Sequence, residues 1–344
     1  MTVTPPGTDT TALPSGISLS YEQTVPRDIA HRRQIGEVFV VDSAQGSPED
    51  FYLAYEVPRA HSLWSDHPGR RYDMLATAEA ARQSIFVMLH RHIGVPVGLP
   101  FTLQRVALRV TDPEAYAHDG TTALQGHVHY RVASREDRGS DVVSMTLEGT
   151  IFIGGRRAMT LDADLAFMTQ EDYDVFRSFQ RAQKPVATAV LTDASALAPA
   201  VVGRENPKNV VIAETGETGG DSTDAPDTTR YLLAIDRTHP AFFDHEYDHV
   251  PGPLMVEGLR QAAVAAAVRS GAVSSPTAFV VGCDAAFLDF VEFEADLVLR
   301  ATAGRPDADG RVPVTVDLLQ FGKCVVQGRI ELLANLQATR IHGE

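Results

Sequence analysis

Histidine and acidic side chains are concentrated in one stretch of the chain, FFDHEYDHVPGPLMVEGLRQAA at residues 242–263. His245 and His249 come before a Pro-Gly-Pro turn, and Glu257 follows the turn on a segment that is otherwise nearly all apolar. A neutral imidazole can accept a proton near pH 7 and return it, which is how a general acid–base catalyst works. The stretch therefore predicts a catalytic site that contains His245, His249 and Glu257.

Other roles for the same residues remain open. Together with the two histidines, Asp244 and Asp248 place four possible metal ligands within six residues, but no further His-rich segment follows, so a metal site is not favoured. Either histidine could instead be a loop residue that bonds to the backbone. An unpaired carboxylate on a buried helix is costly, so Glu257 must be hydrogen-bonded or have a raised pKa. It could form a structural ion pair with Arg260, three residues later.

The turn at 251–253 offers one backbone N–H, that of Gly252, because neither proline has one. At the start of a helix, this donor lies where the helix dipole favours negative charge. A thioester carbonyl placed there would be stabilised as it becomes tetrahedral. Gly252 is therefore a catalytic candidate, although the prolines could simply mark the start of a helix.

The polar residues of this stretch recur in the first half of the chain. HSLWSDH at 61–67 and HPAFFDH at 239–245 share the pattern H-x5-H with Asp before the second His, 178 residues apart. At the same offset His67 corresponds to His245, and AEAARQ corresponds to VEGLRQ. The corresponding polar residues of these two segments are Glu79, Arg82 and Gln83 in the first, and Glu257, Arg260 and Gln261 in the second. Repetition at one fixed offset indicates that one fold is used twice.

The repeat supplies a second set of candidate site residues. His67 and Glu79 are the catalytic candidates of the first half, although RYDM at 71–74 replaces the HVPG of 249–252 and the first half lacks the Pro-Gly turn. An arginine presents a planar fork of donors that suits a phosphate group, and a glutamine could orient the base or the carbonyl. The predicted substrate-binding residues are accordingly Arg260, Gln261, Arg82 and Gln83.

Both halves show the same order of predicted elements. Two β-branched and aromatic runs read as strands, a helix follows at 73–92 or at 253–269, and four more strand-like runs come after it. Gly94 and Gly271 suit left-handed helix ends. The second helix is apolar on nearly every face, so a sheet should wrap around it. The pattern predicts an α+β fold with two long central helices and a largely antiparallel sheet.

These elements divide the 344 residues into five predicted parts. They are a flexible N-terminal tail at 1–24, a first repeat at 25–185, a linker at 186–208, a second repeat at 209–335 with a flexible loop at 215–229, and a C-terminal tail at 336–344.

Composition argues against several classes of function. Thirty basic and forty-five acidic residues give a net charge of −15, which repels phosphate backbones, so no nucleic-acid partner is expected. We interpret the basic group at 27–33 as a solvated surface. The chain has no apolar stretch long enough to span a membrane and no signal-peptide pattern at its start. Only Cys283 and Cys324 occur, which favours a reducing, cytoplasmic location.

The stretch at 242–263 resembles the loop and central helix of hotdog-fold acyl-ACP enzymes, where a His precedes a Pro-Gly turn and an acid lies one turn into the buried helix. DHVPG combined with the paired E-x-x-R-Q helices more closely resembles the A-factor biosynthesis (AfsA-like) family, whose tandem plan matches the repeat. The resemblance covers residues 25 to 335. It implies a double hotdog fold in which each repeat wraps a sheet around its helix.

What the family does is implied by the same resemblance. It is an acyltransferase that moves a β-ketoacyl group from acyl carrier protein to the hydroxyl of dihydroxyacetone phosphate, in the biosynthesis of γ-butyrolactone-type or furan-type signalling molecules. The implied partners are these two substrates, with no cofactor beyond the phosphopantetheine of the carrier. A monomer, as a pseudo-dimer, or a homodimer is expected. The alternatives are an acyl-ACP dehydratase, a thioesterase, or a non-catalytic acyl- or lactone-binding protein.

Overall fold

A computed structural model gives the fold of most of the chain. It describes residues 13–69, 71–118, 120–139, 141–215 and 227–334. The strands of these residues form a single 12-stranded sheet in which all neighbouring pairs are antiparallel.

Each half contains the predicted order of two strands, one helix and four strands. The elements of the first half are β1 (Val40–Gln45), β2 (Asp50–Val57), α1 (Met74–Met88), β3 (Phe101–Val110), β4 (Leu124–Arg138), β5 (Asp141–Ile153) and β6 (Arg156–Phe167). A further helix, α2 (Gln170–Ala182), follows. The elements of the second half are β7 (Ile212–Glu214), β8 (Thr228–Leu233), α3 (Gly252–Arg269), β9 (Phe279–Phe287), β10 (Val298–Ala303), β11 (Arg311–Gln320) and β12 (Lys323–Leu333). The predicted α+β double hotdog is confirmed.

The sheet reads the same from its centre towards either edge. Its order is β1-β2-β4-β5-β6-β3-β9-β12-β11-β10-β8-β7, so the two halves meet where β3 pairs with β9. Outward from this pair, each strand of one half has its counterpart in the other. The duplication in the sequence therefore becomes a pseudo-twofold relation between two hotdog units that share one sheet.

The two central helices begin differently and end alike. Asp73 caps α1 by accepting the N–H of Leu75 at 2.9 Å, whereas Pro251 precedes α3 without any side-chain cap. Past their last turns, Gly94 and Gly271 adopt φ values of 85° and 75°, the left-handed conformation predicted for them. Both helices are buried on nearly every face, as a helix enclosed by a sheet must be.

The helix α2 was not predicted. Its N-cap is Thr169, and its only buried residue is Arg177. The large apolar side chains Val175, Phe176 and Phe179 are exposed instead. Val175, Phe176 and Phe179 recur at helical spacing, so hydrophobic periodicity was an available signal for this helix. In the fold this stripe stays largely exposed, and α2 contacts Phe290 through Arg177 and the rings of Tyr173 and Phe176.

The predicted division into five parts stays a prediction. Residues 216–226 of the predicted loop, and residues 1–12 and 335–344 of the predicted tails, lie outside the described residues. Where the N-terminal segment is described, Tyr21 donates a hydrogen bond to the carbonyl of Gly126 at 2.9 Å. No helix among the described residues combines the length and hydropathy that a membrane span requires.

Candidate active site

Glu257 lies at the centre of a buried ionic cluster on α3. Its carboxylate accepts hydrogen bonds from Arg204 at 3.0 and 2.9 Å, from Arg260 at 2.9 and 2.6 Å, and from Gln261 at 2.6 Å. Burial would raise the pKa of Glu257, but the two arginines and these hydrogen bonds outweigh it and lower the pKa to about 2. Glu257 is therefore ionised and paired, as the ion-pair alternative requires.

Glu79 occupies the equivalent place on α1. It accepts hydrogen bonds from Arg82 at 2.8 and 2.9 Å, from Gln83 at 2.8 Å, and from Arg32. Burial raises the pKa of Glu79, but the arginines lower it further, to about 2. Neither repeated glutamate is thus a proton donor at neutral pH.

The repeated glutamines join each central helix to the strand region beside it. The Nε2 of Gln261 donates to the carbonyl of Asn209 at 2.7 Å, and its Oε1 accepts the N–H of Val211 at 2.9 Å. Gln83 makes the same two bonds to the backbone before β1, at 2.8 Å each. These bonds account for the repetition of both glutamines by structure alone.

Sequence analysis missed the arginines that complete the two clusters. Arg32 lies 47 residues before Glu79, whereas Arg204 lies 53 residues before Glu257, so the 178-residue offset does not superpose them. The interpretation of Arg32 as a solvated residue is wrong, because only 6% of its surface is exposed. A shared pattern, R-x5-V, at 32–38 and 204–210 was the available signal.

Each half has a His-bearing loop, at 61–67 in the first and at 239–245 in the second. Each loop lies over the ionic cluster of the other half. Asp66 of the first loop accepts the N–H groups of the two residues after Arg204, at 3.0 and 3.1 Å. Asp244 of the second loop accepts the N–H groups of the two residues after Arg32, at 2.5 and 3.2 Å. This exchange explains the repeated Asp, and it means that each candidate site contains residues from both repeats.

His67 and His245 directly follow Asp66 and Asp244 in these two loops. Burial, together with Arg260 and Arg204, lowers the pKa of His67 to about 4, and its Nδ1 accepts the N–H of Gly69 at 3.0 Å. Burial likewise lowers the pKa of His245. The Nδ1 of His245 donates to the carbonyl of Glu246 at 2.9 Å, which leaves its Nε2 as a free acceptor. Of these two histidines, only His245 keeps an acceptor available.

His249 forms a carboxylate–imidazole pair with the preceding residue. Its Nδ1 lies 2.6 Å from Oδ1 of Asp248, and Oδ2 of Asp248 accepts hydrogen bonds from Tyr173 at 2.9 Å and Arg177 at 3.1 Å. Burial would raise the pKa of Asp248, but His249, Tyr173 and Arg177 hold it well below its usual range. The ionised carboxylate requires that Nδ1 carry the proton, so Nε2 of His249 is the basic atom. The unpredicted helix α2 supplies Tyr173 and Arg177.

Two adjoining cavities meet at the start of α3. The first, of about 260 Å³, has mostly aromatic and aliphatic walls that also carry polar side chains, among them His249, Gln180 and Asp289, and it is called the polar cavity to distinguish it from the second. The second, of about 100 Å³, is an apolar slot between α1, α3 and the sheet, with Glu79 and Arg82 on its wall. The residues that line both cavities are Leu103, Gly252 and Phe287. The N-terminus of α3 therefore lies at the junction of the polar cavity and the apolar slot.

Gly252 leaves the junction open. As the first residue of α3, it has an N–H without an acceptor inside the helix. A Cβ at this position would lie 3.9 Å from the ring of Phe287, which is ordinary contact, so the fold does not require glycine for steric reasons.

The structure brings some of the predicted site residues together and separates others. His249 and Gly252 line the polar cavity, and Gly252, Glu79 and Arg82 line the slot. His67 lines a third cavity, of about 130 Å³. The lining of these three cavities includes none of Glu257, Arg260 and Gln261. Their predicted roles in catalysis and binding stay predictions. In the described part of the chain, no group of three or more His, Cys, Asp or Glu side chains could hold a metal ion.

The fold and this junction define a tandem hotdog protein with a slot between its two repeats. The family model of the A-factor biosynthesis hotdog domain matches residues 18–169 and 186–334. The chain belongs to this family.

Three relatives carry the name 2-oxo-3-(phosphooxy)propyl 3-oxoalkanoate synthase. The relative from Streptomyces virginiae is 31% identical, over 70% of this chain and 76% of its own length. The one from Streptomyces coelicolor is 28% identical, over 89% of this chain and 91% of its own. The one from Streptomyces griseus is 26% identical, over 72% and 76%.

Proposed function

We propose that this protein is an acyltransferase that moves a β-ketoacyl group from a carrier-bound thioester to the hydroxyl of dihydroxyacetone phosphate. The name of its relatives describes the resulting ester, a 3-oxoalkanoate of a phosphorylated hydroxyketone. The observation that carries the proposal is the junction at Gly252, where a carboxylate–imidazole pair, an open helix N-terminus and an apolar slot meet.

The two cavities suit the two parts of the donor. The acyl chain occupies the slot, whose apolar walls come from both repeats. The pantetheine arm of acyl carrier protein occupies the wider cavity, where polar groups such as Gln180 and Thr102 can meet its amides. This placement puts the thioester carbonyl beside Gly252.

Proton transfer follows from the same placement. Nε2 of His249 accepts the proton of the acceptor hydroxyl as its oxygen bonds to the thioester carbon. The N–H of Gly252 and the helix dipole of α3 stabilise the oxyanion. Collapse breaks the carbon–sulfur bond, and the imidazolium returns the proton to the leaving thiolate. Asp248 stabilises the imidazolium between these two steps.

No cofactor beyond the phosphopantetheine of the carrier takes part in these steps. Because the pairing of β3 with β9 already unites two hotdog units in one chain, a monomer supplies a whole site. The reaction uses acyl carrier protein, so we place it in the cytoplasm.

Thiol release with and without the acceptor tests the function. The protein is incubated with a β-ketoacyl thioester of pantetheine, alone or with dihydroxyacetone phosphate, and the products are identified by mass spectrometry. We expect release of the thiol to require the acceptor and to yield the ester. Release that does not depend on the acceptor would mean hydrolysis and would contradict the proposal.

A leucine in place of Ala78 should shorten the preferred acyl chain. Ala78 lies on α1 and lines the slot, so three added heavy atoms displace part of the chain. Each methylene that loses its contact costs about 0.8 kcal/mol, or roughly fourfold in kcat/KM. A series of thioesters measures the effect, and the shortest one serves as the control because its rate should not change. An equal loss across the series would place the acyl chain elsewhere.

A further inference from the structure

In the ionic cluster of the second repeat, every nitrogen of the two guanidinium groups has a partner among the described residues. Arg204 and Arg260 face two carboxylates, Glu257 and also Asp73, which lies 3.1 Å from Arg204. The remaining donor groups of both guanidiniums are bonded to backbone carbonyls at 3.0 to 3.2 Å. Their side chains are at most 4% exposed. This cluster is closed and neutral.

The cluster of the first repeat lacks the second carboxylate. At the 178-residue offset the position of Asp73 is taken by Pro251, so Arg32 and Arg82 share Glu79 alone. Asp244 and its counterpart Asp66 make the same backbone contacts, so they do not change the comparison between the two clusters. The first cluster has one carboxylate fewer, which leaves it one positive charge in excess relative to the second.

Donor groups are also left over in this cluster. The Nε of Arg32 is buried and has no hydrogen-bond partner among the described residues. Arg82 bonds to Glu79 through Nε and one terminal nitrogen, and within the described chain its other terminal nitrogen meets no acceptor. Its side chain is 23% exposed and also lines the slot, so it lies between the slot and solvent. Free donors and excess charge coincide at Arg82.

Two histidines, His31 and His245, are affected by the positive charge of Arg32 and Arg82. Burial lowers the pKa of His31 to about 3, with contributions from His90 and Arg82. After burial, Arg32 and Arg82 also lower the pKa of His245. The positive charge of the arginines thus adds to burial in keeping both imidazoles uncharged.

The geometry points to the cluster of Arg32, Arg82 and Glu79 as a phosphate-binding subsite, and to the cluster of Glu257 as its structural counterpart that binds no ligand. This inference rests on the proposed function, in which the acceptor is a phosphate monoester. A phosphate carries close to two negative charges, so it would more than replace the missing carboxylate, and the fork of Arg82 suits its oxygens.

Both substrates of the proposed reaction contain a phosphate group. We assign the subsite to the acceptor, because Arg82 lines the same slot as Gly252, where the thioester carbonyl lies. In dihydroxyacetone phosphate the phosphate is a few bonds from the reacting hydroxyl. In phosphopantetheine the whole arm separates it from the sulfur.

The first test compares dihydroxyacetone phosphate with unphosphorylated dihydroxyacetone as acceptors. We expect wild-type protein to prefer the phosphorylated acceptor, and Arg82→Gln to reduce the ratio of the two kcat/KM values by about tenfold to a hundredfold. An unchanged ratio in Arg82→Gln would overturn the subsite. Wild-type protein that makes neither ester but binds dihydroxyacetone phosphate through Arg82 in calorimetry would refute the proposed function and leave the subsite standing.

The second test supplies the missing carboxylate. Pro251 is buried, but Asp is a favourable residue at a helix N-cap, so Pro251→Asp should fold, and its melting temperature is compared with that of Pro251→Asn. It should lower the preference for the phosphorylated acceptor, whereas Pro251→Asn, which has the same shape without the charge, should keep that preference. Equal preferences in the two variants would contradict the charge argument.

The third test separates the two sources of phosphate. Acyl-pantetheine and acyl-phosphopantetheine are compared as donors for wild-type protein and Arg82→Gln. We expect the variant to treat the two donors as the wild type does. A selective loss with the phosphorylated donor would assign the subsite to the carrier arm and overturn the assignment to the acceptor.

Discussion

Replacing Glu257 with glutamine should lower the free energy of unfolding by about 3 to 5 kcal/mol. The side chain is fully buried, and its charge compensates Arg204 and Arg260, which are themselves buried. Glutamine keeps the volume but leaves two guanidinium groups to share Asp73. Urea denaturation followed by far-ultraviolet circular dichroism measures the change.

The matched control is an ion pair at the surface. Glu294 pairs with Arg181 at 2.5 Å, but its side chain is 44% exposed, so Glu294→Gln should cost no more than about 1 kcal/mol. If Glu257→Gln unfolded like the wild type and lost only activity, Glu257 would be a catalytic group, as the sequence alone suggested, and the structural account of its cluster would fail.

The repeat made the fold predictable because it fixed both the order of elements and their number. The helix ends at Gly94 and Gly271 followed from local backbone chemistry, since a left-handed residue after a helix is most often glycine. The exchange of loops between the repeats did not follow from either signal. It depends on the pairing of β3 with β9, a contact between segments far apart in the chain.

The candidate site was predictable only where its residues are neighbours in the sequence. His249 and Gly252 belong to one short motif, and both line the polar cavity. The motif alone suggests a role for Asp248 only as a metal ligand, since nothing in it shows that Tyr173 and Arg177 reach Asp248 from α2. Long-range ionic contacts leave no periodic pattern, and so the partners of the predicted residues could not be identified.

Replacing His249 with glutamine should lower kcat for ester formation by about 10² to 10⁴, the usual contribution of a general base. Its ring is partly exposed, and its side chain hydrogen-bonds to Asp248. The variant should therefore melt close to the wild-type temperature, so that the loss reflects chemistry and not unfolding. Single-turnover measurements with a β-ketoacyl thioester and dihydroxyacetone phosphate report the chemical step directly.

The matched comparison is His245→Gln, because His245 is the other candidate base with a free Nε2. It lies beside Arg32 and Arg82 and away from the lining of the polar cavity. We expect His245→Gln to weaken use of the phosphorylated acceptor more than the chemical step, since its place is beside the phosphate subsite. If instead His245→Gln abolished the single-turnover reaction while His249→Gln kept it, the base would be His245. Proton transfer would then take place at the cluster of Glu79, and His249 would only line the polar cavity.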